Sequence, residues 1–249
     1  MKLKDRLIDF RKNIRVNQKI IIKNFKLKKP DNICIFCSSK NNLTREHILP
    51  QWVYSKNAKK SFITTTNGIN QTYNRSVLPC CQNCNNYILG YFELKIQFIL
   101  KNTDLNSTYY TFEELELIIL WLETMTYKLQ SMEIIRTFKK DKKSDYIPFL
   151  ADIPIALLQD LTLTPSKVFS NLRNSLHTLS IKNKKNKINS LLTFKSKNPD
   201  FHFMHSANNF IYLELPQYKV ALFYFIKEEF QTHKDAYDKS MKILEKEMS

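Results

Sequence analysis

Apolar residues recur at helical steps over the first 29 positions. Leu3, Leu7, Phe10, Ile14, Ile21 and Phe25 fall on one face, with Gln18 interrupting, and Pro30 closes the run. This spacing predicts an amphipathic helix over residues 1–29. The pattern then breaks. Residues 31–100 carry every cysteine, Trp52 and a polar, turn-rich run from Thr64 to Arg75, so this part needs something other than a periodic core to organise it. Tyr87 to Leu100 turns strongly apolar and reads as a helix. Residues 111–249 read as a separate α+β region. Thr111 with Glu114 makes a capping box ahead of a long helix through Trp121 to about Lys139. A charged loop, Lys139–Asp145, follows, and Thr164-Pro165-Ser166 opens a short helix from Val168 to Leu176. After a basic loop, Lys182 to Lys187, four runs read as strands: Leu191–Phe194, Phe201–Met204, Phe210–Leu215 and Val220–Phe225. A last amphipathic helix takes in Lys227 to Met248. No internal repeat is visible. The expected class is α+β in three parts: a helix over 1–30, a metal-organised unit over 31–101, and an α+β domain of undetermined role over 102–249.

Composition narrows the setting. The chain has 249 residues, 43% of them hydrophobic and 12% aromatic, enough to bury a substantial core. With two glycines in all, tight turns fall to Asn, Asp, Ser and Pro. No uninterrupted apolar stretch approaches eighteen residues, which argues against a membrane span. The start, Met1-Lys2-Leu3-Lys4-Asp5-Arg6, lacks the apolar centre of a signal peptide, so a cytoplasmic protein is expected. Thirty-nine basic against 23 acidic residues give a formal charge of +16. Eleven Lys/Arg against two Asp put +9 of it in residues 1–29. Such a charge suits a polyanionic partner. An AT-rich genome also enriches Lys, Asn and Ile, so charge counts only beside a motif.

The cysteines supply one. Four fall into two Cys-x-x-Cys pairs, Cys34/Cys37 and Cys81/Cys84, and Cys80 is left over. Two short loops that each present two thiolates suit the tetrahedral corners of a structural zinc. The spacer, Ser38 to Cys80, is forty-three residues, long for a simple ribbon and roomy enough for a β-hairpin. Cys80 is either an alternative ligand to Cys81 or a small buried residue.

Inside the spacer stands Thr44-Arg45-Glu46-His47-Ile48-Leu49-Pro50-Gln51-Trp52, and Asn85-Asn86 follows the last cysteine. Cys-x-x-Cys, then Glu-His-Ile-x-Pro, then Cys-x-x-Cys-Asn resembles the HNH nuclease family, in the branch whose ββα-metal core carries a four-cysteine zinc. The resemblance covers about residues 31–93. It implies a metal-dependent endonuclease that hydrolyses nucleic-acid phosphodiesters, DNA ahead of RNA. His47 would be the general base that activates water, in keeping with an imidazole pKa near neutrality. Glu46 and Asn85 would seat a catalytic Mg²⁺ or Mn²⁺ by their oxygens, separate from the structural Zn²⁺. Many relatives carry Asp where this chain has Glu46. The family's middle Asn matches Asn74, with Asn67 and Asn70 as alternatives, and Arg45 and Arg75 are candidate phosphate contacts.

Other conspicuous residues have plainer readings. Trp52 reads as a packing anchor, and Trp121 and Tyr127 as helix core. His202 and His205, three apart on a strand, point to opposite faces and do not share a metal. Two rival functions stand beside the nuclease. One is a non-catalytic zinc-dependent module that binds nucleic acid. The other is the nuclease subunit of an antiphage defence assembly, silent until a protein partner docks on the C-terminal domain.

Overall fold

A computed structural model of the chain describes residues 3–25, 27, 31–54, 61–63, 70–103, 110–137, 170, 172–175, 179, 185–206 and 208–248. The first helix, α1 (Leu3–Phe25), buries the face the spacing predicts: Leu7, Phe10, Ile14, Ile21 and Phe25. It stops at Phe25 rather than at the proline. The Asn24 side chain there donates to the Asp31 carbonyl at 2.8 Å and accepts from the Asp31 N–H at 2.9 Å, which turns the chain back. Phe10 packs against Phe36 with ring centroids 4.8 Å apart, so α1 lies on the first cysteine loop.

That loop leads into β1 (Leu43–His47) and a short α2 (Gln51–Tyr54). A small hairpin, β2 (Ser61–Ile63) with β3 (Asn70–Thr72), precedes a single turn at Tyr73–Arg75. Strand β4 (Val77–Cys81) then returns antiparallel to β1, with His47 opposite Val77 and Leu43 opposite Cys81. A wide π-helical segment, Asn83–Gly90, runs straight into α3 (Tyr91–Lys101). Three of the four left-handed positions among the described residues use the Ser and Asn that composition left for turns, and the fourth is Lys219. Ser38 and Asn42 on either side of the loop, and Asn208 and Lys219 later, hold left-handed φ between 50° and 64°.

Helix α4 (Phe112–Thr137) begins at the predicted capping box. The Thr111 N–H donates to Glu114 at 2.8 Å, and the Glu114 N–H donates back to the Thr111 hydroxyl at 3.3 Å. From Ile118 to Met132 every residue of α4 is buried. A helix buried all round belongs at the centre of a fold. It touches α3, β4 and the turn at Lys185–Ser190.

The four predicted C-terminal strands form one antiparallel sheet in the order β5-β8-β7-β6, from β5 (Leu191–Lys195), β6 (His202–Ser206), β7 (Phe210–Leu215) and β8 (Val220–Phe225). Its inner face (Ile211, Leu213, Leu222 and Tyr224) joins the core of α1, α3, α4 and the cysteine loops. Its outer face, with Leu192, Tyr212, Phe223 and Phe225, packs under the last helix, α5 (His233–Met248). That helix starts six residues after the expected Lys227. The carbonyls of Ile226, Glu228, Phe230 and Gln231 are taken by Lys187, Asn189 and Ser190, which holds this stretch extended. Thr232 then caps the helix through the Asp235 N–H. Within the expected helix at Val168–Leu176, the described residues 170 and 172–175 are helical. The Lys139–Asp145 loop lies outside the described residues. No described helix is long and apolar enough to cross a membrane.

His202 and His205 do face opposite ways. His202 is exposed and pairs with Glu214 at 2.8 Å, whereas His205 is buried. Burial drives the His205 pKa down from 6.5 to about 4. The folded protein therefore holds it neutral while the unfolded chain takes up a proton below pH 6.5. Stability from this residue is full above pH 6.5 and is lost as the pH falls toward 4, by roughly 3 kcal/mol in all. Urea titrations across that range should show the loss, and His205→Phe should flatten it. An unchanged slope in the variant would place the acid sensitivity elsewhere.

Candidate metal centre and the buried site beside it

The two halves of the cysteine motif are brought together by the β1–β4 pair. The first loop folds on itself, with the Cys34 N–H donating to Ser39 O at 2.8 Å and the Ser38 N–H to Cys34 O at 2.9 Å. It is fixed to β4 by the Ile35 N–H on Pro79 O at 3.1 Å, and to α4 by the Tyr127 hydroxyl on Ile35 O. Cys81 ends β4, and Cys84 lies in the first turn of the Asn83–Gly90 segment that follows. The sulfurs of Cys34, Cys37, Cys81 and Cys84 all lie within 4.8 Å of one another, with Cys37 and Cys81 at 3.5 Å. Tetrahedral zinc with bonds of about 2.3 Å needs sulfurs nearly 4 Å apart, so the four thiols fit the ion.

Their protonation points the same way. Hydrogen bonds from Cys37, Cys80 and Cys84 hold the Cys34 thiol far below the usual thiol range, and those of Cys37 and Cys84 are pushed far above it by Cys34. Crowded sulfurs that can share only part of their negative charge are stabilised by a dication. Cys80 is buried beside them, and its thiol reaches Cys34 and Cys84 as well as the Cys81 carbonyl at 3.6 Å, but it falls outside the set of four. Cys81 rather than Cys80 completes the group of four that could hold a metal ion.

His47 ends β1, half-buried, and its ring meets two groups. One ring nitrogen bonds the main-chain carbonyl of Asn74, in the turn that precedes β4. Nε2 lies 3.3 Å from Gln51 Nε2 on α2. The Gln51 nitrogen can only donate, so His47 Nε2 accepts and the ring proton sits on Nδ1. Burial lowers the His47 pKa and Lys128 lowers it further, against the opposing pull of Glu46 and Asn74. The imidazole is neutral at neutral pH, with a lone pair on Nε2. Asn74 itself has an exposed side chain, so its backbone makes the contact. Asn70 lies in β3, and Asn67 falls outside the described residues. Arg45 and Arg75 are exposed on the same β1–β4 unit.

Strand alternation turns Glu46 and Thr44 away from His47. Asn85 donates to the Thr44 hydroxyl at 2.8 Å, and that hydroxyl donates to Cys80 O at 2.8 Å. Glu46 is buried and is bound through Oε1 by Lys128 Nζ at 2.6 Å. The same ammonium donates to His47 O at 2.9 Å and lies 3.8 Å from Glu93. Burial works against the Lys128 charge, but Glu46 and Glu93 outweigh it and hold its pKa above the ordinary lysine value. Burial raises the Glu93 pKa to about 7 despite Lys128. Glu46 and Asn85 thus share a face of β1, each engaged with a partner of its own. Lys128 and Glu93 were not foreseen. The available signal was a lysine in the middle of an apolar helical run, which is costly unless paired.

Trp52 is the expected packing anchor. Its indole stacks on Trp121 at 5.3 Å and meets the edge of Tyr218 at 6.0 Å. Comparison with family models, with curated proteins and with solved structures finds no match to this chain.

Two outcomes follow from this geometry. The purified protein should carry one zinc per chain by elemental analysis, lost in Cys81→Ser and kept in Cys80→Ser. Loss in Cys80→Ser with retention in Cys81→Ser would reverse the assignment. Lys128→Met should cost about 3–5 kcal/mol in urea unfolding, because it strands a buried carboxylate. Adding Glu46→Gln should recover part of that cost, and strict additivity of the two would deny the coupling.

Proposed function

We propose that this chain is a metal-dependent nuclease of the HNH type, with His47 as the base that activates water against a nucleic-acid phosphodiester. The observation that carries the reading is the state of His47. It stands at the end of a strand paired with the second cysteine pair, neutral, with Nδ1 held by the Asn74 carbonyl and Nε2 meeting only an exchangeable amide. A water that replaces Gln51 at Nε2 would give up its proton there, and the Asn74 carbonyl would stabilise the imidazolium that forms. The arrangement of strand, returning strand and helix around the four thiols suits the ββα core that the motif resembles.

A Mg²⁺ or Mn²⁺ bound at such a site would stabilise charge on the phosphate and the leaving oxygen. The resemblance has Glu46 and Asn85 hold it, on the side of β1 opposite the His47 ring, so a cation there would stand apart from the base in this arrangement. Asn85 would do so through Oδ1, since its nitrogen is committed to Thr44, and Glu46 through the oxygen that Lys128 does not bind. The positive charge of the chain favours a nucleic-acid substrate, and DNA is placed ahead of RNA on the resemblance alone. A second reading has an observation of its own. The tight Lys128–Glu46 pair already neutralises the carboxylate, as a zinc module that binds nucleic acid without cleaving it would allow. A cytoplasmic setting and a partner within an antiphage defence assembly belong to the same proposal.

The decisive comparison is plasmid cleavage by wild type and His47→Ala with Mg²⁺ and Mn²⁺. The variant should lose at least about 100-fold in rate while zinc content and melting temperature stay put. Equal cleavage by the two proteins removes His47 from the mechanism. Salt-sensitive binding without cleavage in either would favour the non-catalytic module.

A further inference from the structure

The helix that follows the zinc ligands leaves an apolar stripe in the open. Tyr87, Tyr91, Leu94 and Phe98 are 62%, 50%, 63% and 61% exposed. Their spacing of four, three and four residues puts them on one face. At about 1.5 Å per residue the stripe runs roughly 16 Å. The opposite face of the same helix is conventional core, with Phe92, Ile96, Ile99 and Leu100 buried. Such a run of large apolar side chains on a soluble surface marks a contact site.

Cations edge it. The Arg6 guanidinium lies 5.3 Å from the Tyr91 ring centroid and bonds the Tyr87 carbonyl at 3.3 Å. Lys95 Nζ lies 5.1 Å from the Phe98 ring. Helix α1, which packs against the Asn83–Gly90 segment, also brings Lys4 to a hollow it shares with Lys95, Glu113 and Glu116. One acid also stands beside the stripe, Glu93, whose carboxylate lies 3.8 Å from the Lys128 ammonium. A cleft of about 440 Å³ opens between Arg6, Asn86, Tyr87, Tyr91, Glu93 and Leu94. It adjoins Asn85 and backs onto the Glu93–Lys128–Glu46 cluster.

We infer that this stripe is a stacking platform for single-stranded nucleic acid, with bases on Tyr87, Tyr91 and Phe98 and phosphates on Arg6 and Lys95. Charge selects the occupant. A second copy would bring another +16 against the same basic rim, whereas a polyanion is attracted to it. Exposed rings select the strandedness, because the faces of bases are hidden within a duplex and available in a single strand. At about 3.4 Å per stacked step, the stripe is long enough for roughly four to five nucleotides. Leu94, between the rings, contributes apolar contact with sugar or base edges. The inference extends the nuclease proposal by naming the strand that the site receives.

The test is fluorescence anisotropy with labelled oligo-dT and a duplex of equal length, on the full chain carrying His47→Ala so that cleavage does not intrude. Oligo-dT should bind tighter than the duplex. Tyr87→Ala and Tyr91→Ala should each weaken it by roughly 5- to 100-fold, with the salt slope nearly unchanged. Tyr91→Phe should keep the affinity and Tyr91→Leu should not. These side chains are half-exposed or more, so folding and zinc content serve as internal checks. Equal affinity for the duplex, full rescue by leucine, or no binding of oligo-dT overturns the platform. So does a wild-type dimer in sedimentation that Tyr91→Ala dissociates, since a second copy would then own the surface. Stacking that persists in a chain whose wild type never cleaves fails the nuclease reading alone. Cleavage of duplex by wild type that ignores Tyr87 and Tyr91 fails the platform alone.

Discussion

The buried ammonium of Lys128 is the constraint around which this structure is arranged. A charge taken out of water costs several kcal/mol unless oxygen atoms replace the solvent. Here three groups do so: the Glu46 carboxylate at 2.6 Å, the His47 carbonyl at 2.9 Å and, more distantly, Glu93. Two of them lie on β1 and the third on α3. Helix α4 cannot turn or slide without stranding the charge, so its register against the β1–β4 unit is set. The same helix buries a second acidic side chain, Glu123, which accepts a hydrogen bond from Tyr224 in β8 at 2.7 Å. One helix is therefore pinned by polar contacts to the cysteine-bearing unit on one side and to the C-terminal sheet on the other.

Packing and polar pins act together along α4. Tyr127 reaches the Ile35 carbonyl inside the first cysteine loop, and Trp121 stacks on Trp52 just past the end of β1. Phe36 fills the space between Phe10 of α1 and Tyr127. The thiol cluster is thus gripped from α1 and α4 as well as by its own strand pair. A metal bound by these thiols would add a constraint to a loop already placed by hydrogen bonds and aromatic contacts. His47 benefits from this stiffness. Its carbonyl is tied by Lys128, its ring by Asn74 and Gln51, and only the Gln51 contact joins two side chains able to part easily.

Much of this was legible in the sequence where one periodicity or one motif governed. The buried face of α1, the Thr111–Glu114 capping box and strands β7 and β8 could be read directly, because each rests on local spacing. So could the meeting of Cys34, Cys37, Cys81 and Cys84. Boundaries set by distant groups could not. Phe25 ends α1 because Asn24 meets Asp31, and α5 begins late because Lys187, Asn189 and Ser190 hold the chain before it. The choice between Cys80 and Cys81 depended on which thiol a twisted strand end turns toward the loop. The Glu46–Lys128 pair spans 82 residues, and no spacing rule reaches that far.

The unforeseen pair changes what the Glu-His dipeptide does. Neighbours on a strand point to opposite sides, so Glu46 and His47 work in different compartments despite their adjacency. Glu46 faces the interior with Thr44, against Asn85 and α4, and its charge is largely met by Lys128. His47 faces the partly open side, where its ring is half-buried. Any shift of α4 would move the Lys128 ammonium, and with it both the Glu46 carboxylate and the carbonyl of His47. The long C-terminal part is therefore more than an attachment to a small metal unit. Through α4 it supplies the counter-charge and the packing that hold the candidate base in place.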